Sequence, residues 1–292
     1  MRSRLSERLR WVRDFLAHPA LNPSSLDSLE KLAVEPSPNH WKPGAPLSQV
    51  NNCHFTNRPG EMRQGLTDNY NFLEGDIRFE GGFRRIPGVD HWREPILGHD
   101  TTAVDGLNLD EWLDIGKASG RGLKLDIKQA AAVPQILEKV KAHDIPDEWV
   151  MFNGDVVSGP GAPKARTLVT ANVLQDLTMD VKDLREIRRQ FPYSWISLGF
   201  YTHASPEGTT YSDQQLDKIA ALADQVGGRI SFPLRAEFVT QAAVDRLKPH
   251  GAVSVWNDPA NWAPADVAKE TQRLRDMGVD GVIDLRPMGS TL

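Results

Sequence analysis

The chain has 292 residues, 40% of them hydrophobic, 25% charged and 8% aromatic, a composition that excludes disordered and fibrous proteins. Its formal charge is −5, and no block of basic residues interleaves with aromatics, so no nucleic-acid partner is expected. A single cysteine, Cys53, excludes an intramolecular disulfide framework and cysteine-based zinc clusters. No stretch approaches the run of about 18 apolar residues that a membrane helix needs, and charges interrupt the first twenty residues where a signal peptide needs an apolar core. The expectation is a cytoplasmic protein with no integral membrane segment.

In chain order, residues 3–17 spell an arginine-rich amphipathic helix with Leu5, Leu9, Val12, Phe15 and Leu16 on one side. Residues 34–48 carry four prolines and read as an irregular connector. From residue 49 onward, short β-rich runs alternate with helical patterns. The predicted strands are 49–55, 71–79, 122–128, 149–156, 195–200, 229–238, 251–258 and 280–286, with a further segment at 95–100. Helices are expected near 60–69, 109–119, 132–143, 180–190, 212–225, 240–248 and 264–277. Eight strand-then-helix units predict a parallel sheet closed into an α/β (β/α)8 TIM barrel. An open doubly wound sheet is the alternative, but no G-x-G-x-x-G or Walker motif follows any strand. No eighth helix follows the last strand, so the 3–17 helix is expected to cover the barrel in its place. The division anticipated is an N-terminal helix and connector over 1–48, then a barrel domain over 49–292.

Side chains two apart on a strand point to one face. Glu74-x-Asp76, Asp126-x-Lys128 and Asn153-x-Asp155 therefore aim polar pairs inward or onto the rim at the C-terminal ends of three consecutive strands, where barrel enzymes place their sites. Three neighbouring carboxylates are costly to bury unless a cation neutralises them. Glu74, Asp76 and Asp126 offer only oxygens, which suits one Mg²⁺ or Ca²⁺. His54 ends the first strand, and His99 with Asp100 ends the segment after the second. Two histidines beside such a metal could serve as acid and base at phosphorus, with Lys128 stabilising the phosphoryl oxygens.

His54, Glu74-x-Asp76, His99-Asp100 and Leu125-Asp126-Ile127-Lys128 together resemble the phospholipase C-like phosphodiesterase superfamily of glycerophosphodiester phosphodiesterases and venom-type phospholipases D. The resemblance implies catalytic histidines, a divalent ion on the Glu-x-Asp pair and third acid, and a lysine on the phosphate. The Asp-x-Lys form is closer to the venom-type enzymes. LEGDIRF, PILGHD, GLKLDIK, FNGDVVSGPG, SLGF, FPLRAEFV and SVWND, in that order, resemble the menorin-like branch of that superfamily. Phe55-Thr56-Asn57 follows the first histidine where glycerophosphodiesterases have Arg-Gly, which points away from a glycerophosphodiester.

Each residue also has a structural reading. Lys128 pairs with an acid or binds phosphate; Asn153 and Asp155 orient ligands or form a polar turn. Arg235 clamps an anion or bridges to a rim acid, Trp256 walls the pocket or packs, and Cys53 is a packed thiol facing away from His54. The function expected is a metal-dependent phosphodiesterase or phospholipase-like hydrolase of a small-molecule or lipid phosphodiester, with His54 on the attacking side and His99 as acid. The alternatives are a non-catalytic menorin-like adaptor, and a sugar-active barrel in which Glu74 and Asp155 are acid and base.

Overall fold

The computed structural model describes residues 23–35, 37–79, 94–98, 106–162, 178–203, 205, 208–258 and 262–288. The predicted 3–17 helix, residues 80–93, His99 and Asp100 lie outside the described residues.

Eight parallel strands run in chain order around a nearly closed barrel: β1 (Asn52–Cys53), β2 (Phe72–Phe79), β4 (Gly122–Ile127), β5 (Val150–Ser158), β6 (Trp195–Tyr201), β7 (Arg229–Arg235), β8 (Ala252–Trp256) and β9 (Ile283–Asp284). The ninth, β3 (Pro95–Leu97), lies off this path and pairs antiparallel with β2. Its segment, which the sequence groups with the second unit, caps the edge of that strand instead of widening the barrel. Helices alternate with the strands: α2 (Pro59–Thr67), α3 (Leu109–Ala118), α4 (Val133–Ala142), α5 (Val181–Gln190), α6 (Asp213–Val226), α7 (Gln241–Leu247) and α8 (Pro264–Asp276).

Local chemistry explains why these segments start and stop where they do. Asn108, Asp180, Ser212 and Thr240 each accept a hydrogen bond from a backbone N–H of the first turn of α3, α5, α6 and α7, satisfying donors that a helix start leaves bare. Strand residues alternate between the two faces through β2. Leu73, Gly75, Ile77 and Phe79 face the helices, whereas Phe72, Glu74, Asp76 and Arg78 occupy the other face. Gly75 is small because Leu97 and Trp112 crowd its helix-facing side, leaving an added Cβ 2.6 Å from Leu97 Cδ1.

A helix that the sequence reading left unassigned, α1 (Pro23–Ala33), places Leu29 and Ala33 in the core and packs on α2 and α3. Below it the connector has a structural role: Trp41, Leu47 and Val50 join Phe72 and Met151 in an apolar floor at the N-terminal ends of the strands. The Trp41 ring stands edge-on to Phe72 at 5.0 Å, and its Nε1 donates to the Glu148 carbonyl. Above the floor lies a cavity of about 20 Å³ whose wall is mostly apolar, from Phe72, Met151, Pro233 and Val282, with Asn52, Lys124, Ser197 and Ser254 also lining it.

The ladder is open between β1 and β9, the two ends of the strand order. Side chains close that seam: Asp284 Oδ2 accepts from Asn52 Nδ2 at 2.9 Å and lies 2.9 Å from His54 Nδ1. Among the described residues, no helix is long and apolar enough to cross a membrane.

Candidate functional site

Strand register stacks the acidic residues in layers at the C-terminal mouth. Asp76, Asp126 and Asn153 are direct partners across β2, β4 and β5, one residue pair above the Glu74–Lys124 layer. Glu74, Asp76 and Asp126 are all buried, and each can offer one carboxylate oxygen within 4.8 Å of the others. The geometry thus brings together the three acids that the i, i+2 pattern singled out.

Each acid is held by a donor from a neighbouring element. Asn57 grips Asp76 at two points, its Nδ2 donating to Oδ2 at 2.9 Å and its Oδ1 accepting from the Asp76 backbone N–H at 2.8 Å. Asn153 Nδ2 donates to Asp126 Oδ1 at 2.9 Å. Lys128 Nζ lies 2.9 Å from Asp76 Oδ1 and 2.5 Å from Asp126 Oδ2, an internal ion pair with both acids. Lys124 Nζ meets Glu74 Oε1 at 3.0 Å, and Asn52 Nδ2 donates to Glu74 Oε2 at 2.5 Å.

Burial by itself raises the Asp126 carboxyl, but the Lys128 and Lys124 ammoniums and the hydrogen bonds from Lys128 and Asn153 outweigh it. The group stays ionised, well below the usual carboxylate range. Burial likewise opposes charge on Lys128, and Asp126 and Asp76 override it and lift the ammonium well above its ordinary value. Both partners agree that this is a charged pair.

His54 sits at the seam with its Nδ1 between two carboxylates, 2.9 Å from Asp284 Oδ2 and 3.2 Å from Glu74 Oε2. The following residue, Phe55, has φ 59°, a left-handed conformation that is costly for a bulky side chain. That turn lays the Phe55 ring edge-on to His54 at 4.3 Å and beneath the Arg286 guanidinium at 5.4 Å. Next along the chain, Thr56 ties its N–H and Oγ to the Glu74 carbonyl and accepts from Trp112 Nε1. The Phe-Thr-Asn stretch, a departure from the glycerophosphodiesterase pattern, is therefore the clamp that sets His54, Glu74 and Asp76.

Asp155 stands one inward position above Asn153, at a β-bulge where the β5–β6 register shifts between Asp155 and Val157. Gly199 faces it so closely that an added Cβ would lie 2.6 Å from Asp155 Oδ1. Burial, and then the Asp126 charge, push its carboxyl up to about 7, against the smaller opposing pull of Lys128. Across the mouth, Arg235 pairs with Glu237 at 3.0 Å and Asp258 at 3.3 Å and stacks between Phe238 and Trp256, 5.4 and 5.5 Å from their ring centres. Arg235 thus bridges Glu237 and Asp258, with the Trp256 ring against its guanidinium. Cys53 is buried, and desolvation followed by the Asp284 charge pushes its thiol up to about 12, an inert packed group as its place in the strand implied.

Asp284, Lys124, Asn52 and Asn57 escaped the sequence reading. The first three obey the same i, i+2 rule, as Asp284-x-Arg286, Lys124-x-Asp126 and Asn52-x-His54; Asn57 lies beyond its strand and carried no periodic signal.

Three similarities to known proteins accompany this geometry. Human protein FAM151B is 26% identical over 199 residues, covering 66% of this chain, and the chain spans 65% of that curated relative's length. A morphinone reductase mutant in complex with tetrahydroNAD superposes over 75% of each chain at 11% identity with a TM-score of 0.38. An HpcH/HpaI aldolase from Desulfitobacterium hafniense matches over 82% of this chain and 86% of its own, at 12% identity and a TM-score of 0.39. The family model of the menorin N-terminal domain matches residues 46–259, from the barrel floor past β8. On that match, which spans well over half of its length, the chain belongs to the menorin N-terminal domain family.

Proposed function

We propose that this barrel is a metal-dependent phosphodiesterase-like hydrolase of the phospholipase C-like type, acting on a small-molecule or lipid phosphodiester. The observation that carries the reading is the convergence of Glu74, Asp76 and Asp126, buried and with ligand oxygens within 4.8 Å, beside His54 at the barrel mouth. These acids and Asp284 carry four negative charges against Lys124, Lys128 and the Arg286 guanidinium beside Asp284, a remaining negative charge that a bound cation would offset. An all-oxygen donor set fits Mg²⁺ or Ca²⁺, which would supply Lewis-acid stabilisation of phosphoryl oxygens.

The chain's own groups do the rest. His54 accepts the proton of the attacking oxygen, from water or from a hydroxyl of the substrate itself, so simple hydrolysis and a cyclic phosphate are both products of this chemistry. Lys128, tethered between Asp76 and Asp126, presents a positive charge to the phosphoryl group. Asn153 and Asp155 line the approach from β5, and Arg235 with Trp256 forms the opposite wall. His99 protonates the leaving oxygen in this reading; it lies outside the described residues.

A second reading is favoured by one observation. Lys128 already bridges Asp76 and Asp126, and Lys124 already meets Glu74, so each of the three acids has an ammonium partner without a cation. A non-catalytic menorin-like adaptor needs no more. Calorimetric titration of Mg²⁺, Ca²⁺ and Mn²⁺ into chelator-stripped protein separates the two. The hydrolase reading expects saturable binding of one ion that Asp76→Asn abolishes, followed by metal-dependent cleavage of a diester that His54→Ala loses. A folded protein that binds none of the three ions excludes it and leaves the adaptor.

A further inference from the structure

The two polar atoms nearest to His54 Nδ1 belong to carboxylates of unequal standing. Glu74 Oε2 is the more distant at 3.2 Å; it also accepts from Asn52, and its other oxygen is engaged by Lys124. Glu74 is in addition a ligand of the proposed metal site. Asp284 Oδ2 is nearer, at 2.9 Å, and comes from the far end of the strand order. Asn52 Nδ2 steadies it at 2.9 Å, and Arg286 Nε stands 3.9 Å from its other oxygen. Among the described residues, no hydrogen-bond partner meets His54 Nε2, and the side chain is 14% exposed at the mouth.

We propose that Asp284 is the positioning residue of this site: by accepting the Nδ1 proton of His54 it fixes the imidazole tautomer and leaves Nε2 as the atom that takes up or delivers a proton at the mouth. A neutral imidazole carries one proton, and the hydrogen bond at one nitrogen decides which face of the ring can act as base. Asp284 would keep that anchor with Glu74 engaged by a cation, which an arrangement resting on Glu74 alone would not. Its carboxyl suits this role, because burial alone would raise it but the hydrogen bond with His54 and the Arg286 and Lys124 charges hold it ionised, well below the usual carboxylate range. Phe55 and Arg286 complete the grip, since the ring that packs on His54 is itself held under the guanidinium two residues past Asp284.

One consequence concerns the barrel. β9 pairs with β8 over only two residues and forms no ladder with β1, so the alignment of His54 depends on a seam that side chains close.

That His54 carries a proton during turnover rests on the hydrolase reading above; its tautomer does not, and the two are measured separately. Nitrogen NMR of ¹⁵N-histidine-labelled, metal-free protein at alkaline pH, with His54→Gln to assign the signal, reads the tautomer directly. The expected result is a pyrrole-type Nδ1 and a pyridine-type Nε2 in the wild type. Glu74→Gln retains that pattern, and Asp284→Ala loses it to a mixture of tautomers. On bis(p-nitrophenyl) phosphate with Mg²⁺, Asp284→Ala lowers kcat by about 10²-fold or more at little-changed KM. A wild-type ring protonated on Nε2, or an Asp284→Ala protein that keeps a pure Nδ1–H form, overturns the proposal. Should Asp284→Ala not fold, Glu74→Gln decides: a scrambled tautomer there transfers the role to Glu74. A wild type without turnover but with the Nδ1–H tautomer counts against the hydrolase reading and leaves the Asp284 assignment standing.

Discussion

Asp155 shows how a single carboxyl can write its own pH dependence into the fold. Its native value of about 7 lies above the value near 4 that an unfolded chain gives it. A raised acid favours the native state while both states are protonated, and that contribution is lost as pH rises from about 4 through 7. The loss reaches at most about 4 kcal/mol for a shift of three units, less whatever water screens at a half-buried position. Asp155→Asn, which cannot ionise, is expected to match the wild type at pH 4 and to exceed its stability at pH 8, by urea denaturation of metal-free protein. Equal stability at both pH values would show that the carboxyl is not raised. Asp126 has the opposite sign: its depressed carboxyl stabilises the fold above the unfolded value and loses that contribution only as pH falls. At this scale strand alternation made Glu74, Asp76 and Asp126 legible, whereas Asn52, Lys124 and Asp284 follow the same period but were picked out only by their contacts across the barrel. The sequence was illegible at Asn57, because a side chain reaching back from a loop to Asp76 is positioned by a turn and not by a period.

At the scale of elements, alternation in β2 sets both of its faces. The inward face carries the acids and the outward face must admit Trp112, so Gly75 lies between two site residues for a packing reason. Gly75→Ala is expected to cost about 1–3 kcal/mol through overpacking against Leu97 and Trp112, with no charge altered. Chemical denaturation tests this, and a loss below about 0.5 kcal/mol would mean that the helix face yields more readily than its contacts imply. Strands and helices were readable to within a few residues, since period 2 and period 3.6 patterns are local. The first and last strands shrank from 49–55 and 280–286 to two residues each, because a ladder persists only as far as a neighbour offers partners. The helix at Pro23–Ala33 was missed for a related reason: its apolar residues Leu26, Leu29, Leu32 and Ala33 span only one short helix, and what holds them is packing against α2 and α3.

For the molecule as a whole, the barrel separates a stabilising floor from a chemical mouth. Trp41, buried to 4% exposure, packs on Phe72 at the floor, and Trp41→Ala is expected to cost about 3–5 kcal/mol while leaving divalent-ion affinity at the mouth unchanged. Calorimetry of folded variant protein at low temperature provides the check; weakened ion binding there would couple the two ends. The polar middle of the barrel links them physically, through Lys124, Glu74 and Asn52 up to His54.

By itself, the sequence determined the strand-helix alternation, the count of eight barrel strands and the inward aim of Glu74, Asp76, Asp126 and Asn153, because each depends on the local periodicity of the backbone. Only the tertiary structure decided that Asp284 meets His54, that Lys124 and Lys128 pair with the acids, and that residues 41–50 floor the barrel. These are contacts between segments as far as 230 residues apart, fixed by how the sheet curls and where its ends come together.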